Sequence, residues 1–258
     1  MSSSSLSRRR PLVEHPLLVI ERILRNREGV WQQISNEYRI GQLIVQMLIS
    51  STFATALYGI VLGSSNSTLQ AISSAIKLPI LFLLTLAICL PTLYLFNLVF
   101  GARLSIAQAL ALVLTAMTVT AMLTLAFAPI SIFFLITAPN YDFFKLLNVA
   151  ILTLTGSVGL NFLISGMRRM NVLNAARLVE SRDESELLET EPGMVQQERP
   201  VSMGLIYLWV LLYGFVGTQL AWTLRPFFGD PEQAFAVFRT IKGNFYVNIV
   251  RSLANLFS

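Results

Sequence analysis

Two groups of residues have the types and spacing to do more than fill space. The first is a set of amides, hydroxyls and small residues inside otherwise apolar runs. Gln42, Gln46, Ser50, Ala54 and Tyr58 recur every four residues. Asn148, Thr155, Gly159 and Gly166 fall on one helical face, and Gly214, Gly217 and Thr218 accompany Gln219. Small residues let backbones approach and amides bond across helices, at about 0.6 kcal/mol per bond in a membrane, so these faces read as helix–helix seams. The same side chains around a wet cavity would line a path for a solute. The second group is Gln219, Trp222, Arg225 and Pro226. A guanidinium before a helix-stopping proline suits the negative end of a helix, and Trp222 suits a membrane interface. Arg225 then anchors helix depth, with Asp142 or Asp230 as partner, or it contacts an anion or lipid headgroup.

Catalytic constellations are missing from this inventory. Cys89 and His15 are the only residues of their types. That removes internal disulfides, thiol-rich and histidine-rich metal sites, and a serine–histidine–aspartate triad within the apolar runs. No cofactor is expected. Asp142, Lys145 and Arg225 could meet at one end, but no nucleophile is paired with a base.

The elements that must position these residues are long and apolar. Residues 40–63, 78–100, 105–128, 143–166 and 204–224 are almost free of charge. Crossing a bilayer takes about 20 helical residues, and in lipid the backbone must satisfy its own hydrogen bonds, so each run reads as a membrane-spanning helix. Composition agrees: 13% of residues are charged against roughly 25% in soluble domains. The expected fold is an all-α integral membrane bundle of five spans (residues 40–224), preceded by a tail and amphipathic segment (1–39) and followed by an amphipathic C-terminal segment (225–258). No ionisable side chain lies in the central part of any span, which argues against a proton-coupled transporter.

Between the spans the sequence is informative in places. Met1–Arg10 reads as a disordered basic tail, with no signal core before a cleavage site. The next segment alternates apolar and charged residues and carries Trp31 and Tyr38; it lies in the headgroup layer or packs on the bundle. Residues 64–76 read as a polar loop, which puts Pro79 near a helix start, while Pro91 should kink the second span. Pro129 and Pro139 bracket a short run that is either re-entrant or interfacial, or a kinked extension of the third span. Residues 167–203 read as an acidic cytoplasmic loop, helical at first. The basic and aromatic residues after Arg225 would suggest single-stranded nucleic acid in a soluble protein. Directly after a span they read as a lipid-surface segment, and no nucleic-acid partner is expected.

Orientation follows from charge. With the N-terminus cytoplasmic, the 19 basic residues divide thirteen inside to six outside. Five crossings then leave the C-terminus outside.

Three blocks carry a family likeness. They are Lys77-Leu-Pro79 with Thr85, Ile88-Cys89-Leu-Pro91 and Leu93-Tyr94-Leu-Phe96-Asn97; Ala128-Pro129-Ile130 with Phe133-Phe134-Leu135 and Leu146-Leu147-Asn148-Val149; and Tyr213 through Gly229 with Phe238-Arg239 and Gly243-Asn244-Phe245-Tyr246. Together they cover residues 40–246 apart from the acidic loop. They resemble a group of uncharacterised polytopic membrane proteins of bacteria, prominent in cyanobacteria, with a Q-x-x-W-x-L-R-P-F-x-G motif. The resemblance implies a shared fold and marks Gln219, Trp222, Arg225 and Pro226 for attention. It brings no established activity. Some members carry an actin-binding label, but no Leu-Lys-Lys-Thr type motif follows an amphipathic helix here.

The function expected from these features is non-enzymatic: a scaffold, assembly factor or accessory subunit in a bacterial cytoplasmic or thylakoid membrane. Its partners are the lipid bilayer and other membrane subunits or a second copy. The rival is a channel or transporter for a neutral or anionic solute, with Gln42, Gln46 and Asn148 along the path and Arg225 at its mouth.

Overall fold

A computed structural model describes residues 18–99, 104–138, 140–186, 203–224 and 244–257. Arg225, Pro226, the turn at 100–103, the N-terminal tail and the later part of the acidic loop lie outside the described residues. The elements, in chain order, are α1 (Leu18–Arg25), α2 (Arg27–Ser35), α3 (Ile40–Gly63), α4 (Thr68–Val99), α5 (Ile106–Ala126), α6 (Ala128–Thr137), α7 (Tyr141–Glu186), α8 (Met203–Leu224) and α9 (Phe245–Phe257).

Five stretches are long and apolar enough to cross a membrane: Ile40–Gly63, Thr68–Leu95, Ile106–Thr137, Tyr141–Leu173 and Tyr207–Leu224. Their outward stripes are apolar too. Val45, Ile49, Phe53 and Ile60 are all exposed along α3. A contiguous apolar surface of that kind suits lipid and would be a liability in water. The chain is an all-α, multi-pass membrane bundle.

The bundle is organised around α5. From Gln108 to Ala121 every residue except Leu110 is buried. A helix covered on all sides needs no polar face, and after Gln108 α5 has none: it is built of Ala, Leu, Thr, Val and Met. Helices α3 and α7 flank it, α4 packs on α3 and touches α5, α8 packs on α4, and α9 bridges α7 and α8.

The amphipathic N-terminal segment packs on the bundle. Val19, Ile23, Val30, Trp31 and Ile34 are buried in the same core as α3, α5 and α7. Trp31 presses its ring on Gly166, whereas Tyr38 is exposed. One amide ties this segment in place. The Ser105 hydroxyl caps α5 by accepting from Gln108 N (3.2 Å), and Gln108 Oε1 accepts from Ser105 N (3.0 Å). Gln108 Nε2 donates to the carbonyls of Ile34 (3.4 Å) and Ser35 (3.2 Å) at the end of α2. One side chain thereby serves the start of one helix and the end of another, where backbone groups lack helical partners.

Three boundaries differ from those expected of the sequence. Helix α4 starts at Thr68, so the loop after α3 is short and Pro79 lies inside the helix. The cause is close packing on α3. A Cβ on Gly63 would come within 2.7 Å of Ala71 N, and one on Gly59 within 2.9 Å of Ala75 Cα. Two glycines four apart therefore let the early turns of α4 lie against α3. The Ser67 hydroxyl caps the new start by accepting from Gln70 N (3.2 Å).

Residues 129–137 extend the third span rather than re-entering. Pro129 has no N–H for the Leu125 carbonyl, and the helix breaks for the single residue Phe127. Phe127 keeps right-handed helical angles, and its carbonyl accepts from both Ile130 N and Ser131 N at 3.1 Å. The direction of the chain is therefore carried across the break.

Helix α7 does not stop at Arg168 and Arg169. It runs 46 residues to Glu186, about 69 Å at 1.5 Å per residue. The helical start expected of the acidic loop is thus a direct continuation of the fourth span.

Candidate functional site: a buried polar seam

One line of polar residues on α7, through Asn148 and Thr155, meets α3, α5 and α6. At one end is a three-residue node. Tyr58 Oη donates to Asn148 Oδ1 at 2.6 Å, and Ser131 Oγ donates to the same oxygen at 2.8 Å. Asn148 Nδ2 donates to the Phe144 carbonyl at 2.7 Å. All three side chains are fully buried. Both lone pairs of the amide oxygen are occupied, which is the condition for keeping an amide cheaply in a low-dielectric interior.

From there the line continues in step. Seven residues along α7 from Asn148, Thr155 Oγ1 lies 2.8 Å from Thr124 Oγ1. Thr124 is seven residues back from Ser131. Each hydroxyl also lies within bonding distance of its own helix, Thr124 to Thr120 O (2.8 Å) and Thr155 to Ile151 O (2.9 Å). Each has one proton, so one donates across while the other bonds back. Four residues further, Gly159 faces Thr120, and a Cβ there would sit 2.7 Å from the Ala116 carbonyl. Seven beyond that, Gly166 receives Trp31 and Leu112. Steps of seven, four and seven forward on α7, matched by seven, four and eight backward along α6 and α5, are those of antiparallel helices packed in register.

The structure thus places Asn148 and Thr155, singled out in the sequence, in direct contact with protein neighbours. Their face is a seam. The face on α3 behaves differently along its length. Tyr58, Ala54 and Ser50 are buried, Gln46 is half-buried and Gln42 is exposed. Gln42 therefore stands apart from Asn148, and of the α3 repeat only Tyr58 reaches it.

Gln219 is half-buried on α8, and its carbonyl accepts from Thr223 Oγ1 at 2.9 Å. Trp222 is buried. Asp142, a proposed partner for Arg225, is engaged by others. Lys145 Nζ lies 2.9 Å from one oxygen, and Asn255 Nδ2 of α9 donates to the other at 3.1 Å. Lys145 also lies over the Tyr141 ring, 5.2 Å from its centroid. Asp142 and Lys145 thus neutralise one another at the start of α7. Among the described residues, no three histidine, cysteine, aspartate or glutamate side chains come together as a metal site would require.

Several contributors are not among the residues singled out from the sequence. Gly59 and Gly63 form a G-x-x-x-G pattern, which is a legible signal. Ser105 and Gln108 have capping-box spacing. Trp209 Nε1 donates to the Cys89 carbonyl at 3.0 Å and fixes α8 on α4; no local pattern announces that contact.

No family model, curated protein or solved structure matches this chain.

Proposed function

We propose that this chain is a non-enzymatic integral membrane protein that acts as a scaffold, assembly factor or accessory subunit of a larger membrane complex. The observation that carries the reading is the closure of the polar seam. The Tyr58 and Ser131 hydroxyls both donate to Asn148, whose Nδ2 donates to the Phe144 carbonyl, and Thr124 and Thr155 share one bond across the helices. Side chains committed to holding helices together are not free to select a solute or activate a nucleophile. A second support is the overhang of α7, which continues from residue 174 to Glu186 past the end of its apolar span at Leu173. A helix continuing about 20 Å beyond the apolar span offers a surface to a partner.

The projecting helix and the α1–α2 pair lie at the same end of the bundle, joined by Arg169 Nε and Glu28 Oε2 at 2.9 Å. That end also holds Arg22, Arg25, Arg27, Arg39 and Arg168. The excess of arginine at that end supports a cytoplasmic placement for it, and with it for the N-terminus. Placement in a bacterial cytoplasmic or thylakoid membrane rests on the sequence resemblance.

The test is purification from native membranes in mild detergent, with mass spectrometry of the proteins that co-purify. Stable recovery with a larger membrane assembly is the expected result. A chain that purifies alone and carries solute flux in liposomes would overturn the reading in favour of a transporter.

A further inference from the structure

Helix α7 has a second polar stripe, on the side facing away from α5. Ala150, Leu154, Ser157, Asn161, Ser165 and Arg168 are all exposed there. They are spaced by steps of three or four, the spacing of a packing seam. Opposite them, Asn148, Thr155, Gly159 and Gly166 make the seam already described.

Asn161 is the residue that lipid does not explain. It lies seven residues, about 10 Å, from Arg168, inside the apolar part of the span. Its neighbours are self-sufficient: Ser157 Oγ donates to the Thr153 carbonyl and Thr153 Oγ1 to the Val149 carbonyl, each at 2.8 Å. The Asn161 amide has no hydrogen-bond partner among the described residues. Acyl chains offer it neither donor nor acceptor, and an amide left unbonded in hydrocarbon is costly.

We propose that this face is where a second copy of the chain docks, α7 against α7, about a two-fold axis along the membrane normal. Membrane insertion gives both copies the same orientation, so the two-fold brings Asn161 to Asn161 at the same depth. An amide is its own complement, with a donor and an acceptor to exchange. Ala150, Ser157 and Ser165 are small enough to let the helices approach. A single polar residue at a core position of such a seam also sets its register and stoichiometry. Like charges at the inner end are moved off the axis, because Arg168 Nη2 reaches sideways to the Tyr207 hydroxyl at 3.0 Å. The inference stands on the membrane placement alone, so its failure leaves the scaffold reading untouched.

The test uses the full chain in its membrane, with Cys89→Ala removing the one native thiol. Ser157→Cys should then form an oxidant-dependent band at twice the 28.7 kDa chain mass. Ile49→Cys, on the exposed side of α3, should not. Single-molecule counting across lipid dilution should show Asn161→Leu raising the dissociation constant about tenfold, with Asn161→Gln restoring it. A cross-link to a different protein, equal cross-linking from both cysteines, or a dimer indifferent to Asn161→Leu would overturn the proposal.

Discussion

Asn148 has few ways to be satisfied in an apolar interior, and its surroundings supply all that its oxygen can use. Tyr58 and Ser131 donate to it from two different helices. Removing the amide leaves two hydroxyls to share one contact of 3.2 Å between themselves. Asn148→Leu should therefore cost about 1–2 kcal/mol, two interhelical bonds at membrane values. A lowered midpoint of thermal unfolding in detergent would show it. An unchanged midpoint would mean that the node contributes nothing net. That Asn148, Thr155, Gly159 and Gly166 share a face was legible from spacing alone. That Tyr58 is the partner, and Gln42 is not, depends on how α3 lies against α7.

Between elements, the α3–α4 hairpin brings two backbones into close contact. Gly59 and Gly63 meet the backbone of α4, and backbone cannot rotate away as a side chain can. Gly63→Leu should destabilise the bundle by about 3 kcal/mol through overpacking. Gly41 is the control, because a Cβ there meets nothing within 4 Å. Gly41→Ala should be neutral or stabilise by up to about 1 kcal/mol through helix propensity. Denaturation of the two variants in the same detergent should separate them in sign. Equal effects would mean that the close approach of the hairpin does not bear on stability. The early start of α4 belongs to this contact. Residues 68–77 contain serines, threonine and glutamine that look like a loop when read alone. Against the two glycines of α3 they become a helix, because tertiary packing outweighs weak local preference. Phe127 makes the converse point. Pro129 announces a break, yet the hydrogen bonds from Ile130 and Ser131 carry the chain straight across it.

Across the whole molecule, charge is distributed by end. Six described arginines, at positions 22, 25, 27, 39, 168 and 169, gather where α1, α2 and the inner part of α7 meet. The other end presents Asp142, Lys145 and α9. Five crossings would place the two termini on opposite sides. A reporter fused to the N-terminus should be active only in the cytoplasm, and one at the C-terminus only outside it. Both reporters in one compartment would break the topology.

Apolar length and helical periodicity are properties of short stretches, so the sequence by itself determined the solvent, the helical class and the five spans. A bilayer acts on each span separately and needs no knowledge of its neighbours. Tertiary structure alone decided which polar faces close on one another, how early α4 begins, and why the amphipathic N-terminal segment is buried. Those outcomes depend on pairs such as Tyr58 with Asn148, Gly63 with Ala71 and Gln108 with Ser35. Only the last two lie on helices whose ends carry a local signal. Tyr58 and Asn148, like Gln108 and Ser35, are dozens of residues apart, and such contacts gain their energy only once the backbones have come together.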